Sequence, residues 1–109
     1  MAETAEQYSN RGDECSSSGR YAEAVEWFDK AIALNPKLPE VQVMRGIALL
    51  GLGRFAEAAE SCRKEITLNP AGAPGWINLG KALAGLGKPR DAIEAFDRAN
   101  ALNPKFAGT

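Results

Sequence analysis

An internal repeat of 34 residues places the strongest constraint on the fold, because it accounts for nearly the whole chain. Aligned on their Leu-Asn-Pro endings, three copies run over residues 5–38, 39–72 and 73–106 with no insertion between them. The residues that recur at matching places are Gly12, Gly46 and Gly80; Gly19, Gly53 and Gly87; Ala24, Ala58 and Ala92; Leu34, Leu68 and Leu102; and Pro36, Pro70 and Pro104. Such a repeat predicts an array of similar units, each packed on its neighbours.

Each copy carries the pattern of two amphipathic helices. Two segments have apolar residues at intervals of three and four, and a glycine separates them. This spacing predicts an antiparallel helix-turn-helix unit, and therefore six helices in all. Thr4 and Gln7 form a capping-box pattern that begins the first helix directly after Thr4. Pro39, Pro74 and Pro89 are each expected at the start of a helix, where an amide hydrogen would lack a partner anyway.

Three glycines fall inside the first predicted helix of their copies, at Gly12, Gly46 and Gly80. Glycine in a helix interior costs roughly 1 kcal/mol relative to alanine, so each needs a compensating reason. We expect that reason to be close contact with the second helix of the same hairpin.

The third predicted helix, over residues 39–51, is apolar on nearly every side. Its polar side chains after the proline are Glu40, Gln42 and Arg45. A helix of this kind is expected to be covered nearly all round. Arg45 and Glu65 stand where the third copy is apolar, which leaves two alternatives: an ion pair between them, or an arginine stem that lies over apolar neighbours.

Composition argues against several classes of function. The 13 basic and 14 acidic side chains give a net charge of −1, so neither nucleic acid nor a membrane is an expected partner. The longest apolar run is far shorter than the roughly 20 residues of a membrane span, and the first ten residues lack the pattern of a signal peptide. We therefore expect a cytoplasmic protein.

The chain contains no histidine, which removes Cys-His and Ser-His nucleophile pairs and most zinc sites. No catalysis, metal or cofactor is therefore expected. Cys15 and Cys62 fall on faces that the periodicity makes internal. They are expected to be buried free thiols, and neither a disulfide nor a redox site.

The residues at fixed offsets resemble the tetratricopeptide repeat. In the third copy they are Trp76, Leu79, Gly80, Leu83, Gly87, Ala92, Phe96, Ala99, Leu102 and Pro104. The first copy departs from the pattern at Arg11, and the second departs at Gln42, Arg45, Cys62 and Glu65. The resemblance implies an all-α, right-handed solenoid of three repeats within one domain over residues 1–109. It also implies a non-catalytic scaffold for protein–protein interaction.

The resemblance further implies a concave groove, formed by the first helix of each hairpin, that holds a partner peptide. At the family's groove offsets this chain is polar and acidic in the first repeat and apolar in the second. The implied groove residues are Glu6, Asn10, Asp13, Val43, Met44, Ile47, Leu50, Ile77, Asn78 and Lys81. We therefore expect a protein or peptide partner with apolar anchors. The apolar members have a second interpretation, as ordinary core.

Two known binding modes of the family can be compared with these offsets. Chaperone adaptors grip a C-terminal carboxylate with lysine, asparagine and arginine, but the matching residues here are Ser9, Asp13, Met44, Pro74 and Asn78. That mode is not expected, because Asp13 would repel a carboxylate. Asn10 and Asn78 are placed to bond the backbone of a bound peptide, although asparagine is also common at this place in the motif.

The end of the chain allows two further interpretations. Only a few residues follow Pro104, too few for another helix, and repeat arrays usually end in a polar cap. Either the chain is a segment of a longer array, or the sixth helix contacts another molecule through Ile93 or Phe96. Self-assembly into a homo-oligomer and a role as the recognition arm of a larger enzyme therefore stand as alternatives.

Overall fold

The computed structural model describes residues 3–103, in which all regular secondary structure is helical. The six helices, in chain order, are α1 (Ala5–Ser17), α2 (Tyr21–Leu34), α3 (Val41–Gly51), α4 (Phe55–Leu68), α5 (Ala73–Gly85) and α6 (Pro89–Leu102). They pair as three hairpins, α1 with α2, α3 with α4 and α5 with α6. The predicted all-α repeat solenoid is confirmed.

The predicted capping box begins α1, and a left-handed glycine ends it. The Thr4 hydroxyl accepts from the backbone N–H of Gln7 at 3.1 Å, and the Gln7 side chain accepts from the Thr4 N–H at 2.8 Å. After α1, Gly19 takes the left-handed conformation with φ 78°, and the N–H of Arg20 bonds back to the Cys15 carbonyl at 2.8 Å. This ending satisfies carbonyl groups that a helix otherwise leaves unpaired.

The prediction that Pro39 begins the third helix is wrong. Helix α3 starts at Val41, and Glu40 before it has a left-handed backbone with φ 71°. The Glu40 carbonyl accepts the first helical bond, from the Met44 N–H at 2.9 Å. Because a left-handed residue cannot be part of a right-handed helix, Glu40 ends the connection and separates Pro39 from α3.

The hairpins stack side by side into an elongated body of 47 × 25 × 21 Å. Between hairpins, α2 packs on α3 and α4 packs on α5. The first helices of neighbouring hairpins also touch, α1 with α3 and α3 with α5. Within residues 3–103 no comparable contact joins the second helices, so the first helices form the inner side of the stack.

Close contact within each hairpin explains the glycines inside the first helices. A Cβ on Gly12 would lie 2.5 Å from the Phe28 ring, and a Cβ on Gly80 would lie 2.6 Å from the Phe96 ring. In the second hairpin the neighbour of Gly46 is smaller, and its Cβ would lie 3.0 Å from the sulfur of Cys62. In the first and third hairpins, the phenylalanine ring therefore occupies the space that a side chain at the glycine position would need.

The ion pair considered between Arg45 and Glu65 is not formed. Arg45 Nε donates to Asp29 Oδ1 at 2.7 Å, and Arg45 Nη1 donates to the Ser61 hydroxyl. Only 18% of the Arg45 side chain is exposed. Arg45 therefore links α2 of the first repeat to α3 and α4 of the second repeat.

Candidate binding surface

The first helices place four of the predicted groove residues around one depression. Glu6, Asn10 and Asp13 from α1 and Met44 from α3 line a space of about 310 Å³. The remaining lining residues are Ser9, Leu38, Pro39 and Glu40. Leu38 and Pro39 come from the connection before α3, so a rule that counts offsets along helices could not include them. We call this space the acidic depression.

Three carboxylates, those of Glu6, Asp13 and Glu40, surround the acidic depression. None of them forms an ion pair with a lysine or arginine in the part of the chain that the structure describes. Like charges brought together in this way repel one another and attract a cation. The depression is therefore suited to a positively charged group beside the apolar edge of Met44.

The apolar groove residues divide between core and surface. Val43 is buried, whereas Ile47 keeps 43% of its surface exposed. Met44 and Leu50 are partly buried against the core, and Ile77 on α5 is partly buried too. The apolar surface that a partner can contact here is therefore Ile47, together with the exposed edges of Met44, Leu50 and Ile77.

The polar groove residues differ in the same way. Asn78 is buried, and its Nδ2 donates to the Pro74 carbonyl in its own helix at 2.9 Å. Asn10 on α1 and Lys81 on α5 are exposed. Of the two asparagines, Asn10 is therefore the one that can reach a bound peptide backbone.

Glu65 lies close to the acidic depression, in a neighbouring space of about 330 Å³ that Glu40 also lines. Burial raises the pKa of the Glu65 carboxyl above its ordinary value, and the negative charge of Glu40 raises the pKa further. A hydrogen bond from the Val43 backbone opposes the rise. The site therefore gains negative charge mainly from its exposed carboxylates, and less readily from Glu65.

Neither cysteine takes part in the binding surface. Cys15 and Cys62 are free and buried, as predicted. Burial raises the pKa of the Cys62 thiol to about 12. Residues 3–103 contain no group of three or more Cys, Asp, Glu or His side chains arranged to hold a metal. Over the same range, no helix combines the length and hydropathy needed to cross a membrane.

Sequence comparison decides the family of this stack of hairpins. The tetratricopeptide repeat profile matches residues 5–38, 39–64 and 73–106, which together cover most of the chain. The chain belongs to the tetratricopeptide repeat family. Each matched segment begins at the start of one of the repeats. No curated protein matches the chain.

Solved structures of other tetratricopeptide domains superpose closely on this one. The second such domain of Spaghetti (RPAP3), bound to the HSP90 peptide SRMEEVD, is 25% identical with a TM-score of 0.88, over 93% of this chain and 94% of that one. The second domain of human RPAP3, in complex with the HSP70 peptide SGPTIEEVD, is 26% identical with a TM-score of 0.88, over 92% and 83%. The Arabidopsis OM64 domain, 24% identical with a TM-score of 0.91 over 94% and 84%, shares the fold.

Proposed function

We propose that this tetratricopeptide domain is a non-catalytic module that binds a peptide along its inner surface. The peptide carries a basic residue, which enters the acidic depression, and apolar residues, which cover Met44 and Ile47. The partner is a protein segment, and the groove recognises it by charge at one end and by apolar contact in the middle.

The observation that carries this proposal is the acidic depression itself. Glu6, Asp13 and Glu40 line one space of about 310 Å³, and none of them forms an ion pair with a lysine or arginine among the described residues. A lysine or arginine from a peptide would relieve their mutual repulsion. Charge pairs at a rim of this kind contribute orientation and association rate more than affinity.

The related RPAP3 domains support the proposal that this domain binds a peptide, but the peptides that they bind differ in charge from the one proposed here. The peptides in those structures, SRMEEVD and SGPTIEEVD, end in acidic residues. The present domain has Asp13 at one of the offsets where a carboxylate-binding domain carries lysine, asparagine or arginine, and Asp13 would repel a carboxylate. We therefore propose that this domain binds a peptide of the opposite charge.

Apolar contact supplies the rest of the binding energy in this proposal. Ile47 is 43% exposed on α3, and Met44 lines the acidic depression from the same helix. A fully covered isoleucine or methionine contributes about 1.5–3 kcal/mol relative to an exposed one. An apolar residue placed a few positions from the basic one would cover both side chains.

Fluorescence anisotropy with two labelled peptides tests the proposal. One peptide carries two lysines beside two leucines, and its partner replaces both lysines with glutamate. The lysine peptide should bind more tightly, and its affinity should fall as salt rises. Asp13→Asn and Glu6→Gln should each weaken binding several-fold, and SRMEEVD should not bind.

Charge and apolar contributions need separate controls. Glu94→Gln removes an exposed carboxylate on α6, far from the groove, and should leave binding unchanged. Ile47→Asp should abolish binding while helix content, measured by circular dichroism, stays as in the wild type. If the glutamate peptide binds as well as the lysine peptide, the proposed charge preference is wrong.

A second candidate function is self-association through α6. Ile93 is 60% exposed and Phe96 38%, although their counterparts Val25 and Phe28 in the first repeat are 7% and 0% exposed. The next hairpin covers those counterparts, and nothing in the described chain covers α6 in the same way. We propose that a second copy of the chain covers it.

The arrangement of such a pair would be symmetric. Head-to-tail stacking would place Ile93 against the outer face of α1. That face presents exposed Gln7 and Glu14 at the positions where α3 buries Val41 and Ala48. Because a polar face is a poor cover for an apolar one, α6 packing on α6 is favoured, and a symmetric contact of this type closes as a dimer.

Analytical ultracentrifugation over a range of concentrations tests the dimer. The wild type should show a concentration-dependent dimer, and Phe96→Glu should be monomeric. Leu34→Glu charges an apolar residue that is also exposed but lies away from α6, so it should dimerise like the wild type. A wild-type chain that stays monomeric at high concentration would exclude this candidate.

A further inference from the structure

The second repeat lacks an aromatic ring that the other two repeats possess. Tyr8, Gln42 and Trp76 occupy the same place in the three repeats. In the first repeat Lys30 Nζ lies 5.9 Å from the centroid of the Tyr8 ring. In the third repeat the guanidinium carbon of Arg98 lies 5.4 Å from that of Trp76. A ring beneath a cation is therefore the local arrangement from which the second repeat departs.

The second repeat keeps the cation and leaves a space. Lys64 stands at the place of Lys30 and Arg98, and its only ion pair among the described residues is a 3.5 Å contact with Glu60 on the surface. A depression of about 380 Å³ adjoins it, which we call the Gln42 pocket. Its lining residues are Ile32, Pro36, Gln42, Lys64, Thr67 and Leu68.

The Gln42 side chain, which lines this pocket, carries an unused hydrogen-bond acceptor. Gln42 is only 6% exposed, and its Oε1 has no hydrogen-bond partner in residues 3–103. The neighbouring Thr67 hydroxyl cannot serve, because it already donates to the Arg63 carbonyl at 3.0 Å. A buried acceptor without a donor is unfavourable. Because the Gln42 side chain lines the pocket, a donor on a bound molecule would be the missing partner of this oxygen.

We propose that the Gln42 pocket binds a tryptophan side chain of a partner protein. The indole ring occupies the place that Tyr8 and Trp76 hold in the other repeats. Its face lies against Lys64, as their rings lie against Lys30 and Arg98, and its ring N–H donates to Gln42 Oε1.

The chemistry of the pocket favours indole over the other aromatic side chains. Phenylalanine would leave the Gln42 oxygen without a donor. A phenol would supply a donor but would also bring its own acceptor sites into an apolar space. Indole is a donor only, and among aromatic rings it interacts most strongly with a cation. Ile32, Pro36 and Leu68 provide the apolar lining for the rest of the ring.

This site is separate from the proposed peptide groove. The Gln42 pocket and the acidic depression have no lining residue in common. The pocket lies at the boundary of the first two repeats, between α4 and the end of α2 with the connection that follows it. The proposal therefore stands whether or not the groove binds a basic peptide.

Nuclear magnetic resonance titration of the ¹⁵N-labelled chain tests the site with capped tryptophan, N-acetyltryptophanamide. Its addition should shift the amide signals of Gln42, Lys64, Thr67 and Leu68. The 1-methylindole analogue, which has no ring N–H, should bind about fivefold more weakly, the usual effect of one neutral hydrogen bond. Capped alanine should cause no shifts.

Variants separate a binding site from a merely structural glutamine. Gln42→Trp fills the pocket from within and should abolish binding while the chain stays folded. Gln42→Leu keeps the volume but removes the acceptor, so the two indole probes should then bind alike, even if Gln42→Trp proves unstable. Lys64→Gln should weaken binding, and Lys30→Gln, in the first repeat, should not.

Three results would overturn the proposal. One is equal binding of the two indole probes to the wild type, which would exclude the hydrogen bond. Another is a set of shifts that lies away from the Gln42 pocket. The third is tighter binding of capped tyrosine than of capped tryptophan at the same amides, which would assign the pocket to a phenol.

Discussion

Arg45 in α3 and Asp29 in α2 form an ion pair across the boundary between the first two repeats, with 2.7 Å between Nε and Oδ1. The arginine side chain is largely covered, whereas the aspartate is half exposed, so solvent screens the pair only in part. The same guanidinium also bonds Ser61 in α4. One side chain thus connects three helices of neighbouring hairpins.

A double-mutant cycle should detect this pair. Arg45→Ala and Asp29→Ala are expected to show a coupling free energy of about 0.5–1 kcal/mol in urea unfolding, because each alanine removes the same contact. Arg45→Ala combined with Glu65→Gln provides the control and should be nearly additive. Coupling to Glu65 as large as the coupling to Asp29 would contradict the observed geometry.

Alanine at two equivalent glycines should have unequal effects. A Cβ at Gly12 or at Gly80 would meet a phenylalanine ring at 2.5 or 2.6 Å. Phe28 is fully enclosed and cannot move aside, whereas Phe96 borders solvent. Gly12→Ala should therefore lower the free energy of unfolding by about 1–3 kcal/mol, the usual cost of overpacking. Gly80→Ala should cost less, and thermal melts of the two variants make the comparison.

The two cysteines should label slowly in the native protein. Both thiols are buried, and the pKa of Cys62 is raised to about 12. At pH 8 a thiol of that pKa has roughly a thousandfold less thiolate than an ordinary one, and the thiolate is the reactive form. Iodoacetamide labelling followed by peptide mass spectrometry should find Cys62 unmodified under conditions that label the unfolded chain completely. Rapid native labelling of Cys62 would count against its burial.

Glu65 should make stability fall as pH rises. Its pKa is raised in the folded state, so the folded chain holds this proton more tightly than the unfolded chain does. The contribution of Glu65 is fully present below the unfolded pKa of about 4.3 and is lost as pH rises through the folded pKa. Glu65→Gln should therefore be more stable than the wild type near neutral pH, and the difference should vanish toward pH 4.

Urea unfolding between pH 4 and pH 8 measures this difference directly. Glu94→Gln makes the same substitution at an exposed position and serves as the control, with no expected pH-dependent gain. A wild type that is more stable than Glu65→Gln at pH 7 would show that the hydrogen bond to Val43 outweighs the cost of burying the charge.

The sequence by itself determined the repeat and the hairpins. The three registers, the capped start of α1 and the proline-marked starts of α5 and α6 all depend on residues within one 34-residue unit. Periodicity, capping and turn chemistry act over a few neighbouring residues, so they can be read without knowledge of the rest of the fold. Helix α3 is the exception, because a backbone turn at Glu40 displaced its start from Pro39.

Only the tertiary structure decided which residues pair, which are covered and which remain open. Arg45 reaches Asp29 from a different repeat, Val43 is buried while Ile47 is not, and Gln42 lines a pocket partly built by Ile32. Each of these facts depends on side chains that are distant in the sequence but lie within a few ångströms of one another. Periodicity assigns a residue to a face of its helix, but exposure and pairing depend on what the neighbouring repeats place against that face.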